Sequence, residues 1–217
     1  MGSTQYWRAW THQLGILLGT AILSITFSLG SLSLSRFGVF VMLFSYFHFS
    51  EYAFITLGHK RANFDAMMLN HGFRYALAFS LASLEYFLSP FRLPDWTFTL
   101  GLFIALVGLF VRGLSLLTAG SAFTHLIATS RHPTHRLITG GIYSLMRHPG
   151  YFGWFLWVTG AQLLVGNPVC SVGFTVVTWF FFKERIEYEE SLLVDMFGSE
   201  YVKYRQRTEW SGVPFIK

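Results

Sequence analysis

An all-α integral membrane protein of about six spans is the fold this sequence predicts, and three observations predict it. Only 12% of the 217 residues are charged and 53% are hydrophobic, with a mean hydropathy of +0.45; soluble domains carry about 25% charged residues. Apolar runs close to the roughly 20 residues of a membrane-crossing helix recur along the chain. The basic residues gather between those runs, mostly on alternate stretches, as orientation toward the cytosol requires. An aromatic content of 19%, with 24 Phe, suits helices whose outer faces meet lipid and whose Trp and Tyr sit at its borders.

Taken in order, the N-terminal residues are too polar for a signal peptide, and Tyr6 stands where a myristoylation signal needs Ser or Thr. The first apolar run, about 13–34, has no obvious cleavage site and is expected to stay as an anchor. Further spans are predicted at about 37–57, 72–90, 97–118, 151–166 and 169–183. The last two form one apolar stretch divided by Gly166, Asn167 and Pro168. Pro168 lacks an amide donor and keeps Asn167 extended, so the break reads as a tight reversal between antiparallel helices.

Six crossings put both termini on one side together with the loops near 58–71 and 119–149. That side holds Arg8, Lys60, Arg61, Arg131, Arg136, Arg147, Lys203, Arg205, Arg207 and Lys217, while the opposite loops hold only Arg36 and Arg92. Both termini are therefore expected in the cytosol. Past residue 183, Ile186, Leu193 and Phe197 recur at helical spacing among glutamates, which predicts that the sixth helix continues out of the membrane. Gly198 is placed to interrupt it, and Tyr201, Tyr204 and the basic residues around them read as an interfacial piece. With no repeat, linker or low-complexity tract, 1–217 is read as one domain. Its first four spans occupy 1–118, and its second half, 119–217, carries the hairpin 151–183.

Several function classes fall away. The net charge of +5 is dispersed in short clusters, which argues against a nucleic-acid partner. Cys170 is the sole cysteine, so no intrachain disulfide can form. His125, His132 and His135, spaced by 7 and 3, match no usual zinc signature, and no metal is expected. No phosphate-binding glycine loop is present.

Two stretches could carry chemistry. In "SLMRHPGYFGW", residues 144–154, Pro149 suits the first turn of a helix, Gly150 and Gly153 permit close approach to the backbone, and the helix N-terminus offers free N–H donors. The same stretch also reads as a turn into the membrane, with Arg147 and His148 at headgroup level and Tyr151, Trp154 and Trp157 as border aromatics. In "KERIEYEE", residues 183–190, Arg185 and Glu189 share one helix face and Glu190 lies about 100° round from Glu189. That is either a solvated salt bridge or a bundle-facing pair, which is expensive at a membrane lip unless it is used. Gly140 and Gly141 give a flexible turn into Ile142 and Tyr143. Within the spans, His48, Ser50, Glu51, Asn70 and His71 read as interhelical hydrogen bonds or as a substrate path, and Arg112 is expected to snorkel to the cytosolic surface.

Together, "GGIYSLMRHPGYFGW", the Gly-Asn-Pro hairpin, "FFKERIEYEESLLVDMFGSEYVKYRQR" and the terminal "GVPFIK" resemble the eukaryotic protein-S-isoprenylcysteine O-methyltransferase family. "FHFSEY" and "MLNHGFRYALAFSLASLEYF" resemble its earlier helices, so the likeness covers most of the chain. RHPxYxG followed by RxxxEE also occurs in related membrane methyltransferases, phospholipid ones included. The upstream match and the "PFIK" end point to the isoprenylcysteine branch.

The resemblance implies a multi-pass enzyme of the endoplasmic reticulum membrane with its active site facing the cytosol. It would use S-adenosylmethionine to methylate the C-terminal carboxylate of farnesylated or geranylgeranylated cysteine, with small GTPases and other prenylated proteins as partners and membrane lipid as its surroundings. Carried over by position, the cofactor contacts are His135, Arg136, Leu137, Ile138, Tyr143, His148, Pro149, Gly150 and Tyr151. Glu189 would hold the cofactor's amino group and Arg185 the substrate carboxylate, so these two would carry the catalysis. Some relatives have a polar cofactor contact where Ala128 stands, so a contact there can only be through backbone. Gly150 replaces the Ser of many members, and the extra N-terminal helices of vertebrate members are not evident. The rival readings are a phospholipid or other small-molecule methyltransferase, a sterol-type reductase, and a non-enzymatic membrane protein.

Overall fold

The computed structural model describes residues 32–58, 73–123, 127–129 and 136–216. Six α-helices cover most of them: α1 (Leu32–Gly58), α2 (Phe73–Leu88), α3 (Trp96–Ala119), α4 (Pro149–Val165), α5 (Pro168–Phe197) and α6 (Ser199–Arg207). Two short 3-10 turns, Gly120–Ala122 and Gly141–Ser144, follow α3 and precede α4. No strand occurs among the described residues.

The helix boundaries follow local chemistry. Pro149 and Pro168 occupy the first positions of α4 and α5, where a missing N–H costs nothing. Between them Gly166 takes a left-handed conformation (φ 83°) and donates to the Gln162 carbonyl, and Asn167 is extended, giving the expected reversal. Gly198, at φ 56°, ends α5 and opens α6. The first predicted span lies outside the described residues except for its last three. The loop expected at Arg36 is instead part of α1, where Arg36 is buried and reaches Asp95, just ahead of α3, at 2.7 Å.

A glycine seam joins α3 to α4. A Cβ on Gly101 would lie 2.3 Å from the Leu164 amide nitrogen, and one on Gly108 2.5 Å from that of Trp157. Facing them, a Cβ on Gly153 would lie 2.6 Å from the Arg112 nitrogen, and one on Gly160 2.4 Å from that of Ala105. Backbone meets backbone here, so only glycine fits, which is how helices associate in lipid, where burial of apolar surface gives no drive. Beside the seam, Phe40, Leu43 and Phe47 of α1, Tyr86 of α2, Leu109 of α3 and Trp157 and Leu164 of α4 form the main core. Phe47 stacks on Trp157 at 4.3 Å.

The outer surface is apolar. On α3, Trp96, Leu100, Phe103, Leu106, Phe110, Leu114 and Leu117 recur every three or four residues and are all exposed. That stripe is about 33 Å long, close to the roughly 30 Å of a bilayer's hydrocarbon. The segment Trp96–Ala122 is by itself long and apolar enough to cross a membrane. On α5 the exposed Val169, Val172, Val176, Val177, Phe180 and Phe181 stop at Lys183, and the helix runs on to Phe197. This extension carries Arg185, Glu189 and Glu190 past the open end of the α4–α5 hairpin.

Candidate active site

At that open end, the residues ahead of α4 are gripped by the C-terminal segment. The Arg147 amide donates to the Trp210 carbonyl (3.0 Å) and the His148 amide to that of Ser211 (2.8 Å). The Arg147 guanidinium donates from Nη1 to the carbonyls of Thr208 (2.8 Å) and Glu209 (2.5 Å), and from Nε to Glu190 (2.7 Å). His148 Nε2 lies 3.2 Å from the same Glu190 oxygen, and Arg205 lies 3.6 Å from the other. Burial pushes the Glu190 carboxyl up, but hydrogen bonds from His148 and Arg147 outweigh it and hold the group down at about 2. Glu190 is thus a buried, committed anion that fixes the motif in place.

Its neighbour Glu189 faces another way. The Tyr151 hydroxyl donates to Glu189 Oε2 (2.5 Å) and accepts from Arg185 Nε (2.9 Å). One phenol therefore orients both residues that sequence spacing had put on a common face. The Arg185 guanidinium also lies over the Tyr151 ring at 5.4 Å. His148 is stacked parallel on Tyr151, which is stacked in turn on Phe182, and His148 Nδ1 approaches Glu189 to 3.8 Å. The Glu189 side chain remains 26% exposed against 8% for Glu190, so Glu189 is the carboxylate open to a ligand.

Behind this cluster lies a correction. Arg112 does not snorkel: it is only 4% exposed. Its Nε and Nη2 donate to the two oxygens of Glu51 at 2.6 and 2.9 Å, and its Nη1 to the Gly150 carbonyl at 3.2 Å. The counter-charge on α1 and the open carbonyl on α4 replace water, so the side chain has no reason to leave the bundle. Glu51 and His48 accordingly make interhelical bonds, His48 with the Tyr75 hydroxyl at 2.9 Å. Gly150, expected to admit a ligand, is also required by α3, because a Cβ there would lie 2.9 Å from Arg112 Nη1 and 3.2 Å from Ser115 Oγ.

Tyr143 sits in the 3-10 turn Gly141–Ser144. Its carbonyl accepts from the Tyr204 hydroxyl at 2.6 Å. Its hydroxyl points to the Ser115 carbonyl of α3 at 3.5 Å, and burial pushes the phenol above its ordinary range, with Arg112 opposing the shift and Glu189 adding to it. Tyr201 and Tyr204 are not interfacial: both are buried, because α6 folds back against the turn before α4. Of the remaining expected contacts, Ala128, Arg136, Leu137 and Ile138 lie in irregular backbone, and no described hydrogen bond or ion pair ties them to the cluster. His135, like His125 and His132, lies outside the described residues.

Sequence reasoning missed the partners of Glu190 and the Glu51–Arg112 pair. A usable signal existed for the second: Glu51 and Arg112 are the lone charges in two predicted spans, and lone intramembrane charges of opposite sign seek each other.

Comparison with known proteins supplies the lineage. The sequence profile of the isoprenylcysteine carboxyl methyltransferase (ICMT) family matches residues 99–195. The protein-S-isoprenylcysteine O-methyltransferase of Homo sapiens is 36% identical over 214 residues, covering 93% of this chain and 75% of the human one. That of Xenopus laevis is 40% identical over 187 residues; the match takes in 83% of this chain and 65% of the frog protein, a little under two thirds. A probable protein-S-isoprenylcysteine O-methyltransferase of Oryza sativa subsp. japonica is 42% identical over 79% of this chain and 92% of its own length. A solved structure of the eukaryotic intramembrane Ras methyltransferase ICMT superposes with a TM-score of 0.86 at 32% identity, over 94% of this chain and 75% of that one. Identity of 36% to a relative of which the chain covers three quarters, together with the shared helical architecture, shows the lineage: the chain belongs to the isoprenylcysteine carboxyl methyltransferase family.

Proposed function

We propose that this protein transfers a methyl group from S-adenosylmethionine to the C-terminal carboxylate of a prenylated cysteine. The observation that carries the reading is the Tyr151 hydroxyl bridging Arg185 and Glu189 at the point where the apolar face of α5 gives way to charge. A guanidinium suited to a carboxylate and a carboxylate suited to an ammonium stand side by side at a lipid–water boundary.

S-adenosylmethionine supplies an activated methyl on a sulfonium, together with an amino group and a ribose. The residues present fit those groups. Glu189 is accessible and held in one orientation by Tyr151, which suits it to the amino group. The turn through Tyr143 and the start of α4 at His148, Pro149, Gly150 and Tyr151 would line the remainder, with Arg136, Leu137, Ile138, His135 and the Ala128 backbone contributing from the preceding loop.

Transfer from a sulfonium to a carboxylate cancels two charges, so a dry, low-dielectric site favours it where water opposes it. The acceptor is already an anion at neutral pH and needs no general base. Arg185 therefore acts by alignment: a tight ionic grip would stabilise the charged ground state more than the charge-depleted transition state. A guanidinium fixed by Tyr151 and by its ring face can hold one carboxylate oxygen in line with the methyl.

The exposed apolar stripes and the placement of basic residues support an arrangement of six spans with the site and both termini on the cytosolic side. The endoplasmic reticulum is the proposed membrane, with prenylated small GTPases among the substrates. The test is purified protein in liposomes with methyl-labelled S-adenosylmethionine, offered N-acetyl-S-farnesylcysteine, phosphatidylethanolamine, or neither. Base-labile label on the farnesylcysteine alone is expected, and label on the lipid alone would overturn the reading.

A further inference from the structure

The C-terminal segment 208–216 forms a strap across the open end of the hairpin. Val213 and Ile216 are buried in a cluster with Phe155 of α4 and Phe182 and Ile186 of α5. Trp179 Nε1 on α5 donates to the Pro214 carbonyl at 2.7 Å, and the Ser211 hydroxyl to that of Ile216 at 2.5 Å. Gly212, at φ 115°, turns the strap past His148, whose carbonyl would lie 3.1 Å from any Cβ there.

Between half-buried Pro214 and buried Ile216, Phe215 is 97% exposed. It is also the one non-glycine residue with positive φ among those described, at 63°. A bulky aromatic rarely adopts that conformation, and such strain persists only where the surroundings enforce it. Here the burial of Val213 and Ile216 and the bond from Trp179 fix the chain on both sides, and the ring is turned outward.

We propose that Phe215 is a membrane anchor, inserting its ring into the boundary between headgroups and acyl chains and holding the strap at the bilayer surface. Depth argues for lipid as the occupant. Pro214 hangs from Trp179, whose neighbours Phe180 and Phe181 are the last exposed apolar residues of α5 before Lys183, Glu184 and Arg185. The ring thus emerges at the level where the helix passes from apolar to charged, which is where aromatic side chains settle in a bilayer. The strap's own carbonyls hold Arg147 and His148, so the anchor ties the chemical end of the hairpin to the membrane plane.

The test exploits the single native cysteine. In a Cys170→Ser background, Phe215→Cys, Phe180→Cys and Glu209→Cys are each spin-labelled and reconstituted into phosphatidylcholine vesicles, and accessibility to oxygen is compared with that to a water-soluble nickel chelate. The oxygen-to-nickel ratio at 215 is expected to match that at the lipid-facing 180 and to exceed that at the exposed 209 several-fold. A ratio equal to that at 209, or dipolar broadening from a second copy, overturns the proposal. If removal of Cys170 unsettles the fold, Phe215→p-benzoylphenylalanine in the otherwise native chain gives the same answer on irradiation: attachment to phospholipid supports the anchor, and a protein–protein adduct or no lipid adduct refutes it. Neither readout depends on methyl transfer.

Discussion

The two ends of the α4–α5 hairpin use polar residues in opposite ways. At the closed end, apart from the Arg36–Asp95 pair, the strong polar contacts terminate on backbone. Glu85 of α2 accepts from the Val169 and Cys170 amides, both at 2.7 Å, Asn167 donates to the Ala82 carbonyl at 2.8 Å, and the Leu93 amide donates to the Gly166 carbonyl at 2.9 Å. At the open end, Arg147, His148, Tyr151, Arg185, Glu189 and Glu190 meet one another side chain to side chain. Backbone groups stay where the fold puts them, so the first arrangement locks geometry. Side chains can exchange partners with an incoming ligand, so the second can do chemistry. The open end is itself layered, with Glu190 buried as the lock and Glu189 accessible beside it.

The largest effect should come from breaking that lock. Glu190→Gln leaves Arg147 buried without its counter-charge and is expected to cost about 3–5 kcal/mol of stability, measured by unfolding in detergent. Because the folded carboxyl sits at about 2, below its ordinary 4.5, its contribution is present above pH 4.5 and is lost as pH falls through about 2. The wild-type unfolding midpoint should therefore drop along that acid limb, and the Gln variant should show a flatter one.

Arg185→Lys comes next. It should lower turnover about 100-fold, because a point charge cannot replace a planar fork, while S-adenosylmethionine binding and the unfolding midpoint stay close to wild type. Near-normal turnover would sink the assignment. Tyr151→Phe removes the shared hydroxyl but keeps the ring stack, and about a tenfold loss of turnover is expected. The smallest effect belongs to the closed end. Glu85→Gln should cost about 1 kcal/mol of stability and leave activity per folded molecule unchanged; a loss as large as that of Tyr151→Phe would mean that the two ends are not separable.

The hairpin was legible in the sequence because it rests on local rules: Pro168, Gly166 and Gly198 each dictate backbone geometry within a turn. The pairing of Arg185 with Glu189 was legible for a similar reason, since four residues on one helix fix a common face. What joined them, the Tyr151 hydroxyl, depends on how α4 lies against α5, and no spacing rule carries that. The same limit hid the setting of Glu190, whose partners Arg147 and His148 come from the turn into α4 and Arg205 from α6. Arg112 was misread because snorkelling assumes water is the nearest solvent for a guanidinium, whereas Glu51 was nearer. Gly153 was expected to admit a neighbour and does, but the neighbour is α3.

The seam those glycines form has no rotamers. Burying Gly or Ala sets no side-chain freedom aside, so this joint has no internal disorder to gain on warming and no alternative packing to slip into. The pair α3–α4 forms one beam with Tyr151 near its tip, so the place of the Tyr151 hydroxyl is set by backbone packing rather than by a choice of side-chain conformers.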